Sequence, residues 1–350
     1  MDLIEEKTGI VMDLQILWFI VIALLFTGFF FLEGFDYGIG MLLPFVGKSD
    51  TERRVIMNSI GPFWDGNEVW LIATGGAMFA AFPRWYAILL SGLYPEMFLI
   101  LCALILRGAA FEFRSQRESP QWRTFWDWMI FVGSVLPGFL WGVAIGNLMH
   151  GMPIDAQMNY TGSILTPLNP FTILVGLAFD AFFLLHGAIF LSLRVNGDLV
   201  KRAQRVATRA WIVNMVLIGL VIIFGFTATN VFKQVMLNPR IIPLGYLIVA
   251  TLIALLRLNV RGRQGWAFAM SFAVIVLSAI LVTVCLYPDL MVSSLNPAWS
   301  LTIHNASTNA YSMTVISWIG LTVLPFVILY QAWNYWAFRK RIQPHTIGHY

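Results

Sequence analysis

Charge is what this sequence has least of. Of 350 residues only 11% are Asp, Glu, Lys or Arg, while 59% are hydrophobic. A soluble domain carries about a quarter charged residues. An ordinary water-soluble globule is therefore excluded. Cysteine is nearly missing too. Cys102 and Cys285 both fall in apolar runs, which excludes a disulfide framework and reads as two inert buried thiols. There is no P-loop, dinucleotide fingerprint, haem-attaching Cys-x-x-Cys-His or nucleophile–base pairing. Long polar segments are also lacking, so there is no room for an ATPase module or a receptor head. The start, "MDLIEEKTGIVMD", is acidic where a secretory leader would be basic, so no signal peptide is expected. The net charge of +4 is explained below by its distribution, and no nucleic-acid partner is expected.

What is present is apolar length. Nine runs stand out, near 14–46, 55–82, 85–107, 125–149, 170–193, 207–232, 241–258, 264–287 and 312–338. Each is long enough to cross a hydrocarbon core of ~30 Å at ~1.5 Å per residue, and lipid forces backbone groups to bond within helices. The expected fold is an all-α polytopic membrane protein, a single transmembrane domain over 1–350 with sub-bundles near 14–149 and 170–338. Alternate connections divide the 22 basic residues unevenly. One side receives Lys48, Arg53, Arg54, Arg107, Arg114, Arg117, Arg123, Arg194, Lys201, Arg202, Arg205, Arg209, Arg257, Arg261, Arg263, Arg339, Lys340 and Arg341. The other receives only Lys7, Arg84, Lys233 and Arg240. The positive-inside rule then puts the N-terminus outside and the C-terminus in the cytoplasm. The outer connections 151–170 and 287–310 contain no Lys or Arg and are rich in Asn, Pro, Ser and Thr, which favour turns.

Against this background the acids are conspicuous. "FFFLEGFDYGIGML" (29–42) holds Glu33 and Asp36, and "GPFWDGNEVW" (61–70) holds Asp65 and Glu68. If the first two spans are antiparallel, Asp36 lies 11 residues before Gly47, roughly 16 Å deep, and Asp65 lies 12 residues after Arg53, roughly 18 Å deep. Glu33 and Glu68 lie about one turn further out. Each pair has the i, i+3 spacing that shares a helix face. The expectation is a two-rung ladder of four carboxyl groups, Asp36 with Asp65 and Glu33 with Glu68. An ionised carboxylate in hydrocarbon costs ~2.5 kcal/mol or more, and groups so placed can take up and pass on protons. The competing reading makes each acid the structural partner of a buried Arg or an amide such as Asn58, Asn67 or Asn147.

Weaker signals surround these. Pro95 should kink its span, and Glu96 beside it is a secondary member of the path or a contact for a partner subunit. Asp180 and His186 share the fifth span but are six residues apart, on different faces. His186 is a candidate haem ligand against the commoner role of an interhelical hydrogen-bonding group. His150, His304, His345 and His349 have no metal-site spacing. "ATGGAMFAAF" (73–82) and "GIGM" (38–41) offer small-residue faces for helix packing. Trp18, Trp85, Trp122, Trp126, Trp128, Trp299, Trp333 and Trp336 read as interfacial belts.

"EGFDYGIGML", "TERRVIMNSIGPFWDGNEVWLI" and "WDWMIFVGSVLPGFLWGVAIGNLMHG" resemble subunit II of the cytochrome bd-type quinol oxidases. The likeness extends through "LNPF" (168–171) to "LPFVILYQAWNYWAF" (324–338). It implies nine spans, as two four-helix bundles plus a peripheral helix, in a bacterial or archaeal cytoplasmic membrane. It implies a complex that reduces O₂ with electrons from quinol. Haem-bearing subunit I is then the partner and carries three haems, two of b type and one of d type. This chain would bind no haem or metal, support subunit I and contribute a proton path from the cytoplasm. Asp65 matches the path aspartate of the WDGN motif. Glu33 stands where the family has Asp, and Glu68 where it often has Gln. A small single-span third subunit, and a lipid or quinone in this chain, are further possible partners. Two other classes compete: an ion-coupled secondary transporter with helices broken at Gly61-Pro62 and Pro95, and a purely structural scaffold.

Overall fold

The computed structural model describes residues 13–229, 232, 238–239 and 241–342. Lys7, Lys233, Arg240, His345 and His349 lie outside the described residues. Local chemistry sets where helices begin. The Asp13 carboxylate accepts from the Gln15 N–H (2.9 Å) to start α1, Leu14–Val46. Ser49 caps α2, Asp50–Asn58. Then Ser59–Phe63, with Gly61-Pro62 at its centre, interrupts the helix before α3, Trp64–Ala81. α4 is Pro83–Gly92 and α5 is Tyr94–Phe113, both with proline in the first turn. α6 is Pro120–His150. Asn169 and Thr172 form a capping box at the head of α7, Pro170–Arg194. α8 is Asp198–Ala228, α9 Ile242–Val260 and α10 Gln264–Leu286. Asn309 caps α11, Ala310–Ala337. Two short antiparallel strands, β1 (Asp289–Met291) and β2 (Leu301–Thr302), lie between α10 and α11.

Among the described residues seven helices are long and apolar enough to cross a membrane: α1, α6, α7, α8, α9, α10 and α11. An eighth candidate is α4 with α5, bent by 84°. The expected spans 55–82 and 85–107 are thus not single rods. The first is split into α2 and α3, and the second breaks at Leu93, where Pro95 starts a new helix rather than kinking an old one. α3 carries Asp65, Asn67 and Glu68 in its first turn and a half.

α1 is the central post, packed against α3, α6, α7 and α10. Its closest approach is to α7. A Cβ on Gly38 would meet the Phe183 carbonyl at 2.0 Å and Gly187 Cα at 2.8 Å, so only glycine lets these backbones touch. The "ATGGAMFAAF" glycines behave differently. Gly75 and Gly76 meet nothing within 4 Å in this chain. Trp18 and Trp85 are buried in the core rather than in a belt, and the Trp18 indole N–H donates to Ser317 (2.8 Å). Of the two cysteines, Cys102 is exposed on the chain's surface and Cys285 half-buried.

One end of the bundle is tied by ions. The buried Asp127 on α6 accepts from Arg53 on α2 (2.7 Å) and from the buried Arg114 (2.6 Å). Asp50 adds bridges to Arg114 (2.9 Å) and Arg123 (2.8 Å). Arg202 on α8 pairs with Glu52. Partial burial pushes Glu52 up, but hydrogen bonds from Arg202 and the Lys48 N–H outweigh it and hold its carboxyl below the usual glutamate range. Arg194 at the end of α7 donates to the Phe338 carbonyl beyond α11. At the opposite end, Thr308 bonds Ala81, Ser294 bonds Met152, and Gln15 bonds Ser307.

Candidate functional site

The α1 acids are fully buried. Glu33 and Asp36 are each 0% exposed. Between Glu33 and Glu68 stands Arg107, itself 0% exposed. Its guanidinium donates to Glu33 Oε1 and, at 2.6 Å, to Glu68 Oε1. It also lies 4.9 Å from the centre of the Tyr37 ring. The charge count places Arg107 in a cytoplasmic connection, whereas the structure buries it within α5. α5 continues six residues beyond it to Phe113, so it is a span residue that leaves the tally of basic loop residues. The Glu33–Glu68 rung therefore exists, with a guanidinium inserted between its acids.

The other rung does not form. Asp36 meets Asn67: the Asn67 amide donates to Asp36 Oδ2 at 2.7 Å and to the Leu32 carbonyl at 3.4 Å. Asn67 Oδ1 in turn accepts from Gln331 Nε2 (2.9 Å) and from the Tyr335 hydroxyl (2.9 Å). Asp65 is exposed, and no hydrogen bond or ion pair to it occurs among the described residues. The cause is the interruption at 59–63. Counting helical rise from Arg53 through a turn misplaces the register by two residues. Positions 65 and 67 are about 200° apart on a helix, so Asn67 points in where Asp65 points out. Asp65 shares its outward stripe with Val69, Ile72, Gly76 and Phe79.

Within this set several polar atoms are buried without a protein partner: Glu33 Oε2, Asp36 Oδ1, Tyr37 OH, and Arg107 Nε and Nη1. Their clustering within one turn of α1 and one side chain of α5 marks a place where water would be held. Tyr37, Arg107, Gln331 and Tyr335 escaped the sequence reading. Arg107 alone left a trace there, as a charge followed by "GAAF", which does not read as a loop.

The secondary candidates lie elsewhere. Glu96 is 2% exposed, in the first turn of α5 beside the break rather than at mid-span, with Oε2 unpartnered. Asp180 lies against Gly138, where a Cβ would meet its Oδ1 at 2.5 Å. His186 has both ring nitrogens engaged, Nδ1 with Ser271 (2.8 Å) and Nε2 with the Phe31 carbonyl (3.0 Å). Its ring also stacks on Phe268 at 5.0 Å. These bonds tie α7 to α10 and α1 and do not fit a haem ligand. No group of three or more His, Cys, Asp or Glu suited to a metal occurs among the described residues. An apolar cavity of about 270 Å³ lies apart from the carboxylates, lined by Phe26, Phe30, Trp85, Phe179, Phe183 and Leu252 among others.

The family model described as cytochrome bd terminal oxidase subunit II matches residues 14–338. The chain belongs to this family. Among its relatives, the cytochrome bd ubiquinol oxidase subunit 2 of Bacillus subtilis (strain 168) is 44% identical over 94% of this chain and 97% of its own. The cytochrome bd-I ubiquinol oxidase subunit 2 of Escherichia coli (strain K12) is 35% identical over 95% of this chain and 96% of its own. A solved structure titled as that of bd oxidase from Geobacillus thermodenitrificans matches with a TM-score of 0.75 at 18% identity. It covers 94% of this chain and all of the compared chain, a likeness of fold. This subunit II is therefore part of a membrane-bound terminal oxidase, an oxidoreductase complex of the bacterial membrane. Membership decides against the transporter reading.

Proposed function

We propose that this chain is the haem-free subunit II of a quinol:O₂ oxidoreductase, and that it supplies a proton path from the cytoplasm toward the oxygen-reduction site. Its partner is subunit I, which carries two b-type haems and one d-type haem and oxidises quinol, with or without a small single-span third subunit. The chain makes nine spans, counting α3 and the α4–α5 pair, in two four-helix bundles near 14–149 and 170–338 plus a peripheral helix. Its N-terminus is outside and its ion-tied end faces the cytoplasm. One observation carries the path: a buried polar set, Glu68–Arg107–Glu33 and Asp36–Asn67–Tyr335, deep among apolar helices. Glu33 and Glu68 share one guanidinium, and Asp36, held by Asn67, stands one turn along α1 from Glu33. The set's free polar atoms suit water, which moves protons between fixed groups.

Asp65 extends the path to the surface. It lies one turn from Glu68 on an outward stripe opened by Gly76, where subunit I would seat. Glu96 remains a secondary candidate. The apolar cavity suits a lipid chain or a quinone tail. The path is tested by Asp65→Asn in the assembled oxidase. Haem spectra and assembly should be unchanged, while quinol-driven O₂ consumption falls by roughly tenfold or more, because an amide relays no proton. Normal turnover with intact haems would remove Asp65 from the path.

A further inference from the structure

The basic residues at the ion-tied end fall into two populations. Arg53, Arg114, Arg123 and Arg202 are each bridged to a carboxylate. Arg205, Arg209, Arg257, Arg261 and Arg263 are exposed and form no ion pair among the described residues. Lys201 beside them has one loose contact to Asp198 (3.7 Å), both side chains in solvent. Their own stretch of chain supplies no counter-charge, since no Asp or Glu occurs between Asp198 and Asp289, and among the described residues no carboxylate bridges them.

The fold gathers these cations into one corner. The Asn259 amide on α9 donates to the Gln204 carbonyl (3.2 Å) and to Thr208 Oγ1 (3.2 Å) on α8. Gln204 and Thr208 immediately precede Arg205 and Arg209, and Asn259 lies between Arg257 and Arg261. Gln264, at the head of α10, donates to the Asn259 carbonyl (3.3 Å), which brings Arg263 to the same place. On α8 the exposed stripe changes character along its length. Lys201, Arg205 and Arg209 are followed at helical spacing by Val213 and Val216, 52% and 59% exposed. Val260 and Trp266 flank the arginines of α9 and α10 at 69% and 66% exposed. A cationic patch that passes along one face into apolar surface, with an indole at the boundary, has the profile of a phospholipid.

We propose that this corner, formed by the ends of α8, α9 and α10, is a binding site for the headgroup phosphate of an anionic phospholipid, with the acyl chains along Val213 and Val216. The inference does not depend on the proton path. The test uses the purified oxidase complex, stripped of lipid in detergent and titrated with phosphatidylglycerol or phosphatidylcholine, with bound lipid counted by native mass spectrometry. The intact complex should prefer phosphatidylglycerol by ~10-fold or more, and high salt should weaken the preference. Replacing Arg257, Arg261 and Arg263 together by Gln should abolish it, and replacing them by Lys should keep most of it. Removing three charges elsewhere, with Lys48→Gln, Arg117→Gln and Lys340→Gln, should leave it intact. Equal binding of the two lipids, or a preference that survives the triple Gln variant, would overturn the proposal. So would displacement of the phosphatidylglycerol by equimolar inorganic phosphate, which would mark a site for free anions.

Discussion

Arg107 decides the character of the buried site. A guanidinium buried in a helix bundle is tolerated because Glu33 and Glu68 converge on it. Arg107→Leu strands two carboxyl groups and should lower stability by about 3–5 kcal/mol, read as a drop in the melting temperature of the complex. Adding Glu33→Leu to that variant should recover part of the loss. Arg107→Lys should recover less, because an ammonium lacks the planar fork that bridges two acids. Three of the four sequence-marked acids find partners within the bundle, Glu33 and Glu68 on Arg107 and Asp36 on Asn67. Asp65 does not, because a side chain's direction depends on helical phase and the turn at 59–63 resets that phase.

At the scale of elements, the short α2 holds the bundle's ion-tied end. It presents Asp50, Glu52 and Arg53 to Arg114 just beyond α5, to α6 and to α8 at once. Asp127 on α6 is the centre, and its loss would leave the buried Arg114 with only the half-exposed Asp50. Asp127→Ala should therefore cost about 3–5 kcal/mol, checked by thermal unfolding of the purified complex, whereas Arg123→Ala, at the solvent-exposed bridge to Asp50, should cost no more than ~1 kcal/mol. Hydropathy located these helices well but not their interruptions. Ser59–Phe63 and Leu93 are as apolar as their surroundings, and the prolines there, Pro62 and Pro95, are what marks the breaks in the sequence.

For the whole molecule, the two ends differ in chemistry. One carries the bridged and free arginines, and the other the basic-free connection 151–170. The orientation this implies is open to direct measurement. A membrane-impermeant maleimide applied to intact cells should label Ser163→Cys and spare Glu118→Cys, with Cys102 and Cys285 replaced by Ala. Labelling in the reverse order would invert the topology. α11, with its exposed Trp318, Phe326, Tyr330 and Trp333, and the outward stripe of α3 together give a broad unfilled flank, as a subunit of a larger assembly requires.

The membrane-bound, all-helical class, the positions of most helices and the presence of acids within the first spans were written in the chain itself. Each rests on a signal carried by neighbours in sequence: apolar run length, charge bias between loops, and caps. Which side chains meet was decided only on folding. Arg107 reaches Glu33 across 74 positions, and Tyr335 reaches Asn67 across 268. Such pairings depend on the phase of each helix after every turn and on how closely glycines such as Gly38 and Gly187 let the backbones approach, and no local pattern encodes either.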